Sequence, residues 1–600
     1  MEASSSPSNS IGRSNRKRAL YEFIHLVDES FQASVTRLSS LPSRHKIDFG
    51  GLFISSAVAI FWRSRPVSPN AQSEEFDQYL TRWVTTLCDI LLNEILCTSQ
   101  DESTALKQIL MMGLPPYSET NPSIPYTERF VTSLSSISSL PDHERNQMIE
   151  FLEKHPCLAP LPLVVWLRDC VVMLILQSSN ETRIYNSHTR EVLFHLADSF
   201  SLDSDAIRMW ERSIGEILHG HEAVRNSQAI VSQSTITAQR VKIGLGAVAG
   251  AVALGVTGGL ALPVLASVSS VIGGSLTAVG LGVIGTVFAT TSMVLGSISV
   301  AGAVALFGIT GGSLMTYKLS NRFGSLNIDD FQFKRLSRSS EKDHSQDALE
   351  IVLCISGYLR SARDYVDPWK CIRRHNGGLT DVYALQWERK NLQSLGSVFI
   401  KLLSNELASA LTNIYIQTSL SAVSATATLP ISVISVIADS DNIFLVCENR
   451  AKQAGEALAE VITNNDLGTR PFTLIAYSLG SSAVFACLEV LAERGHYSCI
   501  ENVILLGSTI PCTFIYEGQR TPWQKARSVV AGRIVNVYSK KDMLLHFLCR
   551  YIQWTIQVAG VTEVREEGIE NVDVSDIIQS HSDYPAKIDL ILTRVGGYFH

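Results

Sequence analysis

Between Lys242 and Lys318 the chain carries not one Asp, Glu, Lys, Arg or His, and the run is built mainly of Gly, Ala, Val, Leu and Ser. A soluble core rarely uses so much glycine, which loses more conformational entropy on folding than any other residue and specifies packing poorly. Lipid suits it better. Gly246 and Gly250, Gly255 and Gly259, and Gly308 and Gly312 stand four apart, the spacing that lets helix backbones approach closely in a bilayer. The run has room for two or three spans of about 20 residues each. Arg240 and Lys242 precede it, and Lys318, Arg322, Lys334 and Arg335 follow it. The positive-inside tendency therefore puts both ends in the cytosol and calls for an even number of spans. The expectation is a Gly/Ala-rich hydrophobic membrane hairpin within 241–318, with limbs at about 243–270 and 286–316. A shallow re-entrant hairpin, three spans, or a hairpin buried inside a soluble protein are the competing readings.

The remainder of the 600 residues exceeds what one hydrophobic core usually organises. Residues 1–18 are rich in Ser and Asn with a basic cluster at Arg13, Arg16, Lys17 and Arg18, too poor in apolar surface to order, so a disordered tail is expected. From 19 to 240 apolar residues recur at helical spacing, as in TRWVTTLCDILLNEIL, which predicts an all-helical domain. Within it GLFISSAVAIFW, residues 51–62, is too short to span a bilayer and reads as a buried helix. Residues 319–348 read as a polar linker. A net charge of −7 gives no general drive toward nucleic acid, and no nucleic-acid partner is expected. The 11 cysteines show no metal-ligand spacing, so no cofactor or metal is expected, and reduced thiols facing the cytosol fit them best.

From 349 to 600 the texture changes. Short apolar runs bounded by Gly, Asn and Ser (EIVLCISG, VYALQWE, TLIAYSLG, NVILLGS, RIVNVYS) alternate with helical stretches, the longest an amphipathic one over 391–428. Runs of that length suit strands buried on both faces, and the alternation predicts a doubly wound, mostly parallel α/β sheet. Chemistry in such sheets collects at the C-terminal ends of strands.

One such end carries a reactive pattern. PFTLIAYSLGSSAVFACLEVLAERG reads as strand, tight turn and helix with Ser478 at the turn, the context of a nucleophile elbow. The turn needs small residues two before and two after the serine, and Ala476 and Gly480 stand there; the common pattern has Gly at the first place. Ser-x-Gly also occurs at Ser10, Ser213 and Ser394, none between an apolar strand and a helix. A serine hydroxyl needs a histidine to take its proton and a carboxylate to orient that histidine, in the chain order Ser, acid, His. Asp542 follows the strand RIVNVYS, and His581 lies in a loop before the last helix. His546, His496 and His600 compete as base, and Asp583 and Asp576 as acid. Backbone N–H donors for an oxyanion are expected from Leu479 and from the Gly357–Tyr358 turn after the strand IVLCIS.

The segments ISGYL, DPW (Asp367 to Trp369), YALQWE (Tyr383 to Glu388) with Leu395-Gly396 following, AYSLGS, NVYSKKD and HSDYPAK, in this order and after the uncharged Gly-rich block, resemble the family of transmembrane and coiled-coil domain-containing protein 4. The likeness runs from about Tyr185 to Gly597. That family usually has Gly where Ala476 stands, and Trp near Tyr358 and Met543. The resemblance implies an α/β-hydrolase fold over 349–600 and serine-hydrolase chemistry on a membrane. The function expected is ester or thioester hydrolysis of lipid-like substrates through Ser478, Asp542 and His581, on the cytosolic face of an internal membrane. Membrane lipids are the expected partners, with proteins possible through the helical domain. The alternative is a non-catalytic membrane adaptor that keeps a hydrolase fold.

Overall fold

The computed structural model of the chain describes residues 38–66, 74–114, 161–178, 183–199, 202, 204–214, 330–336, 348–375, 379–403, 431–464, 470–514, 520–551 and 557–596. The disordered tail expected over 1–18 and the hairpin expected over 241–318 lie outside these residues. Among the described residues no helix is long and apolar enough to cross a membrane.

In its described residues the N-terminal region is helical, the class its periodicity predicts. It comprises α1 (Ser43–Ser64), α2 (Glu74–Ile90, extended by a wider turn over Leu91–Ile95), α3 (Gln100–Gly113), α4 (Leu161–Gln177) and α5 (Ser187–Ser199), with further helix at 205–214. The stretch 51–62 falls in α1, where Leu52, Phe53, Ile54 and Ala57 are fully buried, so protein rather than lipid covers it.

Among the described residues the C-terminal part is built on a seven-stranded mixed sheet of β1 (Gln332–Arg335), β2 (Ile351–Ile355), β3 (Asp381–Gln386), β4 (Phe472–Tyr477), β5 (Ile500–Leu506), β6 (Ile534–Tyr538) and β7 (Ile569–Asp573), in the spatial order β1-β3-β2-β4-β5-β6-β7. β1 pairs antiparallel to β3, and the other pairs are parallel. Every residue of β2 to β6 is buried, which is why these strands read as predominantly apolar runs; the polar residues within them, such as Glu501 and Asn536, are buried too. The edge strands break that pattern. β1 falls inside the stretch expected to be a polar linker, and the half-exposed β7 has no apolar run to mark it, because an edge strand need not be apolar on both faces. Helices α6 (Arg389–Leu402), α7 (Ile431–Thr463), α8 (Leu479–Glu493), α9 (Pro522–Ser528), α10 (Met543–Tyr551) and α11 (Tyr584–Arg594) flank the sheet. The helix expected over 391–428 is α6 in its described part, and 404–430 lies outside the described residues.

The helical region docks at the N-terminal ends of the central strands through buried charge. Arg190 on α5 meets Glu211 at 2.6 Å, Glu350 just before β2 at 3.4 Å, and Glu501 on β5. Arg208 meets the same Glu350 at 2.9 Å and Glu501 at 3.6 Å. Hydroxyls complete the set, Tyr185 donating to Glu211 at 2.6 Å and Thr473 to Glu350 at 2.8 Å. All five charged side chains are at most 1% exposed, so each depends on the others for its charge to be tolerable. Burial alone would push the Glu350 carboxyl up, but Arg208 and Arg190 outweigh it and hold it below the ordinary glutamate value. Its contribution to stability is therefore complete above the ordinary glutamate range and is lost as pH falls toward its lowered folded value. Arg190→Met, which takes the arginine from buried Glu211 and one of the two arginines from Glu350 and Glu501, is expected to cost about 3–5 kcal/mol. Denaturant titration of detergent-solubilised full-length protein checks it, and a loss under about 1 kcal/mol would mean that the cluster is solvated and carries little.

Candidate active site

The C-terminal end of β4 turns into α8 through a single strained residue. Ser478 has φ 56° and ψ −132°, a left-side backbone conformation that a residue with a Cβ rarely adopts. Neighbouring backbone holds it there. Its N–H donates to the carbonyl of Leu506 at the end of β5 at 3.0 Å, and its carbonyl accepts from Ser481 N–H at 2.9 Å. The crossing beneath is tight. A Cβ on Gly480 would lie 2.4 Å from the Ile355 carbonyl oxygen, and one on Gly357 would lie 2.3 Å from both Leu479 N and the Tyr477 carbonyl oxygen. Glycine at both places is thus a requirement of space. Ala476 lies fully buried in β4 between Ile355 and Leu505, where a small side chain fits the same crowding.

The segments that follow β6 and β7 bring their side chains to this turn. His581 Nε2 lies 2.9 Å from Ser478 Oγ, and His581 Nδ1 lies 2.6 Å from Asp542 Oδ2. Asp542 follows β6 at the start of α10, where its Oδ1 accepts the Leu545 N–H at 3.1 Å. His581 opens a single turn of tight helix, His581–Asp583, closed by reciprocal Ser580 and Asp583 hydrogen bonds and leading into α11. Ser539 Oγ donates to the Ile578 carbonyl at 2.8 Å and so ties the histidine loop to the end of β6. Ser478, His581 and Asp542 have no exposed surface.

The competing residues are elsewhere. His546 Nε2 meets the Lys540 carbonyl at 3.3 Å, Asp583 accepts from Gln579 and Ser580 N–H, and Asp576 pairs with Arg594. His496 follows the far end of α8, and His600 lies outside the described residues.

Aromatic rings enclose the histidine. Ring centroids of Tyr358, Phe399 and Tyr584 lie 5.5, 5.5 and 5.7 Å from that of His581. Phe399, on α6, carries no local signal that would single it out. Trp369 and Trp387, which the sequence offers only as parts of DPW and YALQWE, both hold the turn after β2: Trp369 Nε1 donates to Ser356 Oγ at 3.0 Å and Trp387 Nε1 to the Ser356 carbonyl at 3.1 Å. Burial pushes the Tyr358 and Tyr477 hydroxyls up, and burial together with the Asp542 carboxylate does so for Tyr584, so all three stay protonated at physiological pH. Leu479 is the first residue of α8, where an N–H has no acceptor within its own helix, and Gly357 lies directly against it. Chemically, a hydroxyl bonded to an imidazole that is itself bonded to a carboxylate is the arrangement by which a serine oxygen can be deprotonated as it attacks.

A family model described as "Protein of unknown function (DUF726)" matches residues 237–597. The transmembrane and coiled-coil domain-containing protein STS1 of Oryza sativa subsp. japonica is 32% identical over 356 residues, 59% of this chain and 51% of its own length. An uncharacterized membrane protein of Schizosaccharomyces pombe is 30% identical over 438 residues, 72% of this chain and 71% of its own. A Saccharomyces cerevisiae protein named probable lipase MIL1 is 30% identical over 281 residues, 46% of this chain and 24% of its own. The chain thus spans about half the length of the rice relative and about a quarter of the budding-yeast one.

Proposed function

The chain belongs to the family described as protein of unknown function DUF726, and we propose that it is a membrane-associated serine hydrolase with an α/β-hydrolase fold, cleaving ester or thioester bonds in lipid-like substrates. The observation that carries the reading is the strained strand-to-helix turn that sets Ser478 Oγ 2.9 Å from a histidine lying 2.6 Å from a buried aspartate. The name of the budding-yeast relative supports the reaction class, and the names of the rice and fission-yeast relatives support a membrane setting. The resemblance to the transmembrane and coiled-coil domain-containing protein 4 family is part of this proposal.

In the proposed cycle His581 Nε2 takes the Ser478 proton as Oγ attacks the acyl carbonyl carbon. The N–H groups of Leu479 and Tyr358 receive the oxyanion. Collapse expels the alcohol or thiol, which takes the proton from His581, and leaves an acyl-serine. Water then attacks that ester with His581 again as base, releasing the acid and restoring the hydroxyl. Asp542 holds the imidazole in the tautomer whose Nε2 is free to accept. Aromatic walls around His581 suit an uncharged acyl group, and a site tethered to a bilayer meets acyl esters at high effective concentration.

Detergent-solubilised protein is expected to hydrolyse p-nitrophenyl and long-chain acyl esters with release of free acid. The complete burial of Ser478, His581 and Asp542 is what favours the adaptor reading, and absence of turnover with both ester classes would decide for it. For the membrane setting, the charge-free run 243–317 predicts that the protein stays in the pellet after alkaline carbonate and that deleting 243–316 releases it. Extraction of the intact protein by carbonate would overturn the integral hairpin. Both flanks of that hairpin are proposed to be cytosolic, with the site on the cytosolic face.

A further inference from the structure

Tyr358 offers more than a backbone N–H. Its phenol oxygen donates to the backbone carbonyl of His581 at 3.1 Å, and its own carbonyl accepts the Tyr477 hydroxyl at 3.0 Å. Its ring lies 5.5 Å from the His581 ring with the planes 34° apart, and 5.3 Å from Phe399. Tyr358 is 2% exposed, so its hydroxyl and the His581 carbonyl meet out of water.

The strap that bears it is fixed along its whole length. Ser356 is held by the two indoles. Gly357 is pressed on the Ser478 turn. The Leu359 N–H donates to the Leu392 carbonyl at 3.0 Å, and a Cβ on Gly396 of α6 would lie 2.0 Å from the Leu359 carbonyl oxygen. The His581 turn is one short turn between a loop and α11, held at its base by the Ser580–Asp583 bonds and the Ser539–Ile578 bond, and the ring it carries must face Ser478 Oγ and Asp542 together.

Resting on the hydrolase reading, we propose that the Tyr358 side chain is a positioning residue, tying the fixed strap that bears the oxyanion donor to the turn that bears His581. Donor and base then keep one separation through both halves of the cycle. A buried carbonyl needs a partner in any case. The positioning role adds a demand on geometry, since displacement of a reacting group by about 1 Å can cost on the order of a hundredfold in rate.

The test uses detergent-solubilised full-length protein whose active sites are counted by taking labelling with a fluorophosphonate to completion, so that unfolded molecules drop out of the count. With p-nitrophenyl butyrate, Tyr358→Phe is expected to lower kcat per titrated site by about ten- to a hundredfold and to change KM by less than about threefold. Tyr358→Trp keeps a ring N–H donor and is expected to turn over faster than Tyr358→Phe. A Tyr358→Phe kcat per site within twofold of wild type, equal turnover in the two variants, or a Tyr358→Phe chain with no titratable sites overturns the positioning role. Wild type that neither takes up probe nor hydrolyses ester removes the hydrolase reading and this proposal together, whereas an active wild type with an unchanged Tyr358→Phe removes this proposal alone.

Discussion

Replacing Ser478 with alanine is expected to abolish ester turnover, by about a millionfold in kcat, while leaving the fold and sedimentation with membranes unchanged. The size follows from the geometry. The Oγ is the atom 2.9 Å from His581 Nε2, and alanine has nothing to put in its place. The fold should tolerate the change, since a Cβ already occupies this left-side conformation and the N–H of residue 478 still donates to Leu506. Turnover of p-nitrophenyl butyrate by wild type and Ser478→Ala, each referred to folded protein by its unfolding transition, gives the comparison. Activity within tenfold of wild type would take Ser478 out of the mechanism.

Asp542→Asn should cost about ten-thousandfold in kcat with KM nearly unchanged. An amide can still accept the Leu545 N–H through its oxygen, so the start of α10 survives. The face toward His581 Nδ1 then carries an NH2 group. Two donors cannot share that contact of 2.6 Å, so Nδ1 becomes the acceptor and the proton moves to Nε2. An imidazole protonated at Nε2 cannot take the Ser478 proton. Slow fluorophosphonate labelling at unchanged thermal stability would accompany the loss; a kcat within tenfold of wild type would mean that Asp542 does not set the tautomer.

As candidates, Ser478, Asp542 and His581 were legible because each stands at a punctuation point, after an apolar run or before a helical one, in the order Ser, acid, His, and the folded chain brings the three together. The five strands buried on both faces were legible for a related reason, since burial on both faces leaves mostly apolar runs with few polar residues, such as Asn536 in β6. β1 and β7 were not, because QFKR and IENVD at the sheet edges mix polar and apolar residues as loops do. Arg190 and Glu350 lie 160 residues apart, and nothing in the local pattern of either distinguishes a buried charge from a solvated one. The same holds for Phe399 and His581, and for the two tryptophans that meet at Ser356. Their partners are chosen by the sheet, which only the folded chain displays.

The central claim is that Ser478 is an activated nucleophile, and covalent labelling tests it most directly. Detergent-solubilised wild-type protein would be treated with a fluorophosphonate, digested, and the phosphonylated peptide mapped by mass spectrometry. The expected result is one adduct, on Ser478 within FTLIAYSLG, absent from Ser478→Ala. A folded protein that acquires no adduct, or acquires one on another serine while Ser478 stays unmodified, would contradict it.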